Sequence, residues 1–286
     1  MQVTLETLSR RRKTAFRLPP LSCDAHCHVF GPAAKFPYAP NRRYTPQDAP
    51  KEALAMLHAH LGIERAVIVQ ASCHGTDNRA MLDCIASHPQ RYRGVAIVDD
   101  SFTDADYDAL DRGGVRGVRF NFVKHLGGAP DLAVFRRVLD RIKDRGWHVV
   151  LHVDAPDIIP LSEMIRSLPL PFVIDHMGRV PGKAGLEQPP FKALLELFKL
   201  EHAWIKVCGA ERISMPPYAE AIPIAKALVA ARGDRVLWGT DFPHPNATHE
   251  ADEADLVDLV PKIAPDAAAQ HRLLVENPAR LYGFGR

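Results

Sequence analysis

The sequence predicts one (β/α)8 barrel of the α/β class. Eight short apolar runs alternate with amphipathic segments, Gly, Pro or Asp punctuates the joins, and polar groups recur at the runs' C-terminal ends. A chain of 286 residues with 47% hydrophobic content can bury the large core that such a barrel needs. In order, the runs are Cys23–Phe30, Arg65–Ser72, Gly94–Asp99, Gly117–Phe122, His148–Asp154, Phe172–Met177, Trp204–Cys208 and Val236–Phe242. Each is read as a strand. Between them, Lys51 to Leu61 puts Leu54, Leu57 and Leu61 at helical spacing and stops at Gly62, a good C-terminal residue. Asp131 to Arg145 carries Leu132, Phe135, Val138, Leu139 and Ile142 on one face before Gly146. Tyr218 to Arg232, followed by Gly233, reads the same way. An open doubly wound sheet is the alternative, but no Gly-rich dinucleotide fingerprint follows the first strand. Two longer segments, Gly31 to Pro50 and Gly178 to Pro190, are expected to wall a site.

The net charge is +2, from 36 Lys and Arg against 34 Asp and Glu. So even a balance argues against a general nucleic-acid or membrane-surface binder. No stretch approaches the ~18 apolar residues of a membrane span. The basic run Arg10–Arg11–Arg12–Lys13 is followed by neither an apolar region nor a small-residue cleavage site. Residues 1–20 are therefore expected to be an arm lying on a barrel of residues 21–286. Five cysteines at irregular spacing, with no C-x-x-C pair, read as reduced thiols of a cytoplasmic protein.

A barrel enzyme gathers its reacting groups at the C-terminal ends of its strands. Here those ends carry His26 and His28, Ser72 and His74, Asp99, Arg119 and Asn121, His152 and Asp154, Asp175 and His176, Lys206 with Arg212 beyond it, and Asp241 with His244 and Asn246. One buried histidine is ordinary, but imidazoles and carboxylates at one level on several strands point to chemistry. Strand parity agrees: His26 and His28 share a face, as do Arg119 and Asn121, while Val118 and Phe120 face the helices.

Asp24–Ala25–His26–Cys27–His28, histidines on the fifth and sixth strands and Asp241 on the eighth resemble the amidohydrolase superfamily. Asp24–Gly31, Val69–Asn78, Arg116–Phe122, Ile174–Arg179 and Trp238–Asn246 bring the resemblance closer, to its 2-pyrone-4,6-dicarboxylate lactonases. It spans about Leu21 to Tyr282. It implies hydrolysis of a small anionic lactone in aromatic-acid catabolism, with Asp241 as general base and His26, His28 and His176 stabilising the oxyanion. It also implies that Arg119, Arg179 and Arg212 grip the substrate's carboxylates and that Tyr44, Ser72, His244 and Asn246 line the pocket.

Two departures stand out. The resembled lactonases have Tyr where this chain has His152, and a second Arg where it reads Lys124–His125, either of which could supply positive charge. They work without metal, but here His26, His28, His152, His176 and Asp241 make a complete mononuclear ligand set for one Zn2+. Whether a metal is used stays open. A zinc-assisted sulfomuconolactone hydrolase and a metal-dependent decarboxylase are the alternatives; a non-catalytic scaffold would have lost these polar strand ends. Oligomeric state is not legible.

Overall fold

The computed structural model describes residues 11–285. All eight runs enter one parallel sheet in chain order. The strands are β1 (Cys23–Cys27), β2 (Arg65–Val69), β3 (Tyr92–Ala96), β4 (Val115–Asn121), β5 (His148–His152), β6 (Phe172–Ile174), β7 (Ala203–Lys206) and β8 (Val236–Leu237). Around it lie α1 (Lys51–Leu61), α2 (Arg79–Ser87), α3 (Asp104–Arg112), α4 (Leu132–Ile142), α5 (Ala155–Arg166), α6 (Pro189–Phe198) and α7 (Ala221–Ala231). Shorter helices follow β8, among them α8 (Glu253–Asp258) and α9 (Asn277–Tyr282). The barrel closes where β1 meets the segment after β8. Ala25 N–H donates to Trp238 O, Asp241 N–H to His26 O and His28 N–H to Phe242 O, each at 2.8 Å. Gly239 lies on this seam, where a Cβ would come within 2.6 Å of the His26 nitrogen. No helix among the described residues is long and apolar enough to cross a membrane.

Strand parity sorts the core into two. Val118, Phe120, Val149, Leu151 and Ile174 pack outward against the helices. Val67, Val69, Val150, Val173, Trp204 and Leu237 fill the barrel, closed below by Tyr282 and Phe284. On β1 the register slips between Asp24 and Cys27. This irregularity moves Cys27 to the outer core although Cys23 and Ala25 belong to the inner one. Asp24 Oδ1 accepts the N–H groups of His26 and Thr240, and its Oδ2 faces the Thr240 hydroxyl and the His58 ring of α1. β1 is thereby pinned to both neighbours.

Several strands are shorter than the sequence suggests, for a local reason. His176, Met177 and Arg179 after β6, and Asp241, His244 and Asn246 after β8, have φ between 51° and 61°. Non-glycine residues in this left-handed region are uncommon and strained, and they stop a strand ladder. The segment after β2 winds into a 3-10 turn at Ser72–His74. α4 likewise ends at Ile142, with a tighter turn carrying the chain to Gly146, and α7 starts at Ala221.

Candidate active site

Asp241 sits at the centre, fully buried. Its Oδ1 lies 3.6 Å from His26 Nε2 and 3.4 Å from His28 Nε2. Its Oδ2 accepts from Arg212 Nε at 2.7 Å, lies 2.6 Å from Arg212 Nη2, and is 4.0 Å from His176 Nδ1. Burial alone would raise this carboxyl; the Arg212 guanidinium, with His176 and His28, overrides it and holds Asp241 well below the usual carboxylate range. Oδ1 has no hydrogen-bond partner among the described residues. An ionised oxygen with no partner, ringed by imidazoles, is poised to accept a proton.

Beneath it lies a second buried carboxylate. Asp175 Oδ2 accepts from Arg119 Nε at 2.8 Å, and its Oδ1 lies 3.2 Å from Lys206 Nζ and 3.3 Å from His26 Nδ1. Lys206 and Asp175 are fully buried. Lys206 Nζ is also 3.0 Å from His26 Nδ1. An ammonium can only donate, so this contact makes Nδ1 the acceptor and leaves the proton on Nε2, facing Asp241. Lys206 thus selects the tautomer in which His26 presents an N–H to the cavity.

The other imidazoles are oriented in the same manner. His28 Nδ1–H donates to Val69 O at 2.8 Å, and His152 Nδ1–H donates to Asn121 Oδ1 at 2.9 Å. Burial, then Arg119 and His176, hold His152 well below the ordinary histidine range; burial does the same to His176. Burial and then Lys206 push His26 down to about 4. Deeper in the barrel, His148 has no partner on either ring nitrogen, and burial followed by Lys206 lowers it to about 3.

These neutral, buried rings set an acid limit on stability. A group whose folded pKa is depressed costs nothing above its unfolded value, near 6.5, and destabilises as pH falls from there toward the folded value. For His148 alone the difference corresponds to about 5 kcal/mol. The urea midpoint is therefore expected to fall steeply between about pH 6.5 and 4. His148→Met should flatten that slope by about one proton; an unchanged slope would mean that His148 is already charged in the folded protein.

Two sets of cationic groups lie near this centre. In the first, Arg119 donates through Nε to Asp175 Oδ2. Tyr44 is close by: burial pushes its hydroxyl up while hydrogen bonding to Ser72 and the nearby Arg119 work against the rise. In the second, Arg179 donates through Nε to Asp154 Oδ1 at 2.8 Å, and Arg212 is engaged by Asp241. His125 is there too, lowered first by burial and then by Arg179, with a smaller contribution from Arg212.

Not every candidate joins. Lys124 and Asn246 are exposed, and among the described hydrogen bonds neither reaches the centre. His244 Nδ1 lies 3.3 Å from Glu211 Oε1 and its Nε2 lies 3.2 Å from Glu253 Oε1. His74 Nε2 accepts the Gly31 N–H at 3.2 Å and so holds the long loop after β1. Asp175 and Lys206 stood among the polar strand ends without an assigned role. Lys206 carried the missing signal, because a lysine at an inward position of a short strand demands a buried acid partner.

Ligand atoms of His26, His176 and Asp241 lie within 4.8 Å of one another, and buried His26 Nε2, His152 Nε2 and Asp241 Oδ1 lack partners among the described residues. That set fits one Zn2+, provided His26 carries its proton on Nδ1, donates it to Asp175 Oδ1, 3.3 Å away, and Lys206 turns from Nδ1.

The model of the amidohydrolase family matches residues 23–284. The chain is 45% identical to 2-pyrone-4,6-dicarboxylate hydrolase of Comamonas testosteroni over 291 residues, covering 97% of this chain and 95% of the relative. It is 42% identical to 4-sulfomuconolactone hydrolase of Rhizobium radiobacter over 282 residues, covering 96% and 94%. The crystal structure of a putative 2-pyrone-4,6-dicarboxylic acid hydrolase from Pseudomonas putida superposes with a TM-score of 0.82 at 34% identity, over 94% of this chain and 100% of that one. A barrel of eight parallel strands, imidazoles on its first and fifth strands and after its sixth, and an aspartate after the eighth agree with that match from end to end, and the chain belongs to the amidohydrolase family.

Proposed function

We propose that the protein is a lactone hydrolase that opens the ring of 2-pyrone-4,6-dicarboxylate, with Asp241 as its general base. The observation that carries this reading is the ionised Asp241 Oδ1, without a partner among the described residues, facing His26 and His28, while Arg212 holds the other oxygen. Two sets of cationic groups suit a flat ring bearing two carboxylates. Arg119, with Tyr44 and Ser72, takes one carboxylate; Arg179 and His125 take the other. Arg212 holds Asp241 and borders the second group.

In the reaction a water lies against Asp241 Oδ1 and adds to the lactone carbonyl carbon while the carboxylate takes its proton. Charge develops on the carbonyl oxygen and is met by the His26 Nε2–H, with His28 and His176 beside it. The carbonyl then re-forms, the ring C–O bond breaks, and the departing oxygen takes the proton back from Asp241. A bound divalent ion, held by His26, His176 and Asp241, would polarise the carbonyl and acidify the water.

A second reading, hydrolysis of 4-sulfomuconolactone, is favoured by His152, whose Nε2 is buried and partnerless, and by the similarity to the Rhizobium radiobacter enzyme. A panel of pyrone and muconolactone acids bearing carboxylate or sulfonate groups separates the two readings. Turnover of none of them would overturn both. Metal analysis of the purified protein, with activity before and after chelation, decides whether an ion takes part. Arg119→Met is expected to raise KM for the dicarboxylate about 10–100-fold with a smaller change in kcat, as expected for lost ground-state binding. Unaltered KM and kcat would remove Arg119 from the substrate.

A further inference from the structure

A line of alternating charges leads from Asp241 to the N-terminal segment. Arg212 Nη2 lies 2.6 Å from Asp241 Oδ2, and Arg212 Nε is 3.6 Å from Glu211 Oε1. That oxygen is 3.3 Å from His244 Nδ1, and His244 Nε2 is 3.2 Å from Glu253 Oε1 on α8. Glu253 pairs in turn with Arg11, which also donates to Ala251 O. Glu211, Glu253 and Asp241 have no exposed side-chain surface. Hydrolysis itself calls on neither glutamate, and burying an ionised carboxylate costs several kcal/mol unless cations meet it. The two ring nitrogens of His244 each face one of these glutamates, so the ring bridges them.

We propose that Arg11, Glu253, His244 and Glu211 form a positioning relay that sets Arg212 against Asp241, which makes the N-terminal arm a working part of the active site. The relay acts through Arg212 on the base assigned above and so rests on that reading. Asp241 is faced by Arg212, His26, His28 and His176, and Arg212 by Asp241, Glu211 and Cys208. Breaking the relay at Arg11 leaves Glu253 without its outer cation. His244 then shifts toward Glu253, and Glu211 draws Arg212 from Asp241.

The arm supplies its own control. Arg12 pairs with Asp255 and Asp258 of α8, and so tethers the same segment to the same helix without touching the relay. Arg11→Met is expected to lower kcat about fivefold with KM nearly unchanged. Arg11→Lys should restore most of the loss, and Arg12→Ala should keep the wild-type kcat. If Arg11→Met keeps the wild-type kcat, or if Arg12→Ala lowers it equally, the relay is refuted and the arm is a strap. The crystal structure of Arg11→Met gives a reading that needs no substrate, and so separates failure of the relay from failure of the assigned activity. Arg212 displaced from Asp241 Oδ2 supports the relay, and an unmoved pair overturns it whatever lactone the enzyme takes.

Discussion

Asp241→Asn is expected to lower kcat for lactone opening by at least about 10³-fold while KM stays within about threefold. The amide has nearly the shape of the carboxylate, so the fold and the neighbouring imidazoles should persist. What is lost is the proton acceptor. Oδ1 is buried, faces two ring nitrogens and has no partner among the described residues. An amide cannot deprotonate water, and its NH2 group would confront either Arg212 or the His26 Nε2–H with donor against donor. Steady-state kinetics on the folded variant, with circular dichroism as the control, checks this outcome. Hydrolysis within a few-fold of wild type would mean that another group, or a metal-bound hydroxide, does the work.

The second large effect is on stability. Asp175→Asn should cost about 3–5 kcal/mol, because it leaves two buried cations without their shared anion. Asp175 is the point where Arg119 from β4, Lys206 from β7 and the His26 ring from β1 converge. Burial would raise its carboxyl, yet Lys206, His26 and Arg119 hold it well below the ordinary range. Urea denaturation of wild type, Asp175→Asn, Lys206→Met and the double variant forms a cycle. The double variant is expected to be more stable than the sum of the single losses predicts, since each partner without the other is the costly state. Additive losses would show that the two side chains do not depend on each other. Asp175→Asn should also slow the reaction, because nothing then keeps Lys206 on His26 Nδ1 and the Nε2–H is no longer enforced.

Much of this was legible in the chain. Apolar runs separated by amphipathic helices with glycine stops are local patterns, and they gave eight parallel strands in chain order. The i, i+2 spacing of His26 and His28, and of Arg119 and Asn121, placed each pair on the inward face. Asp241, His176 and His152 were found because a strand's polar C-terminal end is a feature of linear sequence. Strand lengths were overestimated where the backbone turns left-handed after β6 and β8, since no side chain at His176 or Asp241 announces a positive φ. The motif that suggested His244 for the pocket could not show Glu211 and Glu253 on either side of its ring.

The sequence by itself determined the barrel, the inward faces of its strands and the inventory of groups at its mouth, because periodicity and strand order are short-range properties. The tertiary structure alone decided which groups meet. Lys206 rather than water fixes the His26 tautomer, Arg212 goes to Asp241 rather than standing free, and Arg119 is shared with Asp175. These pairings join residues 29 to 180 positions apart. Their energies depend on distance and on removal from water, and only a closed barrel sets those two quantities.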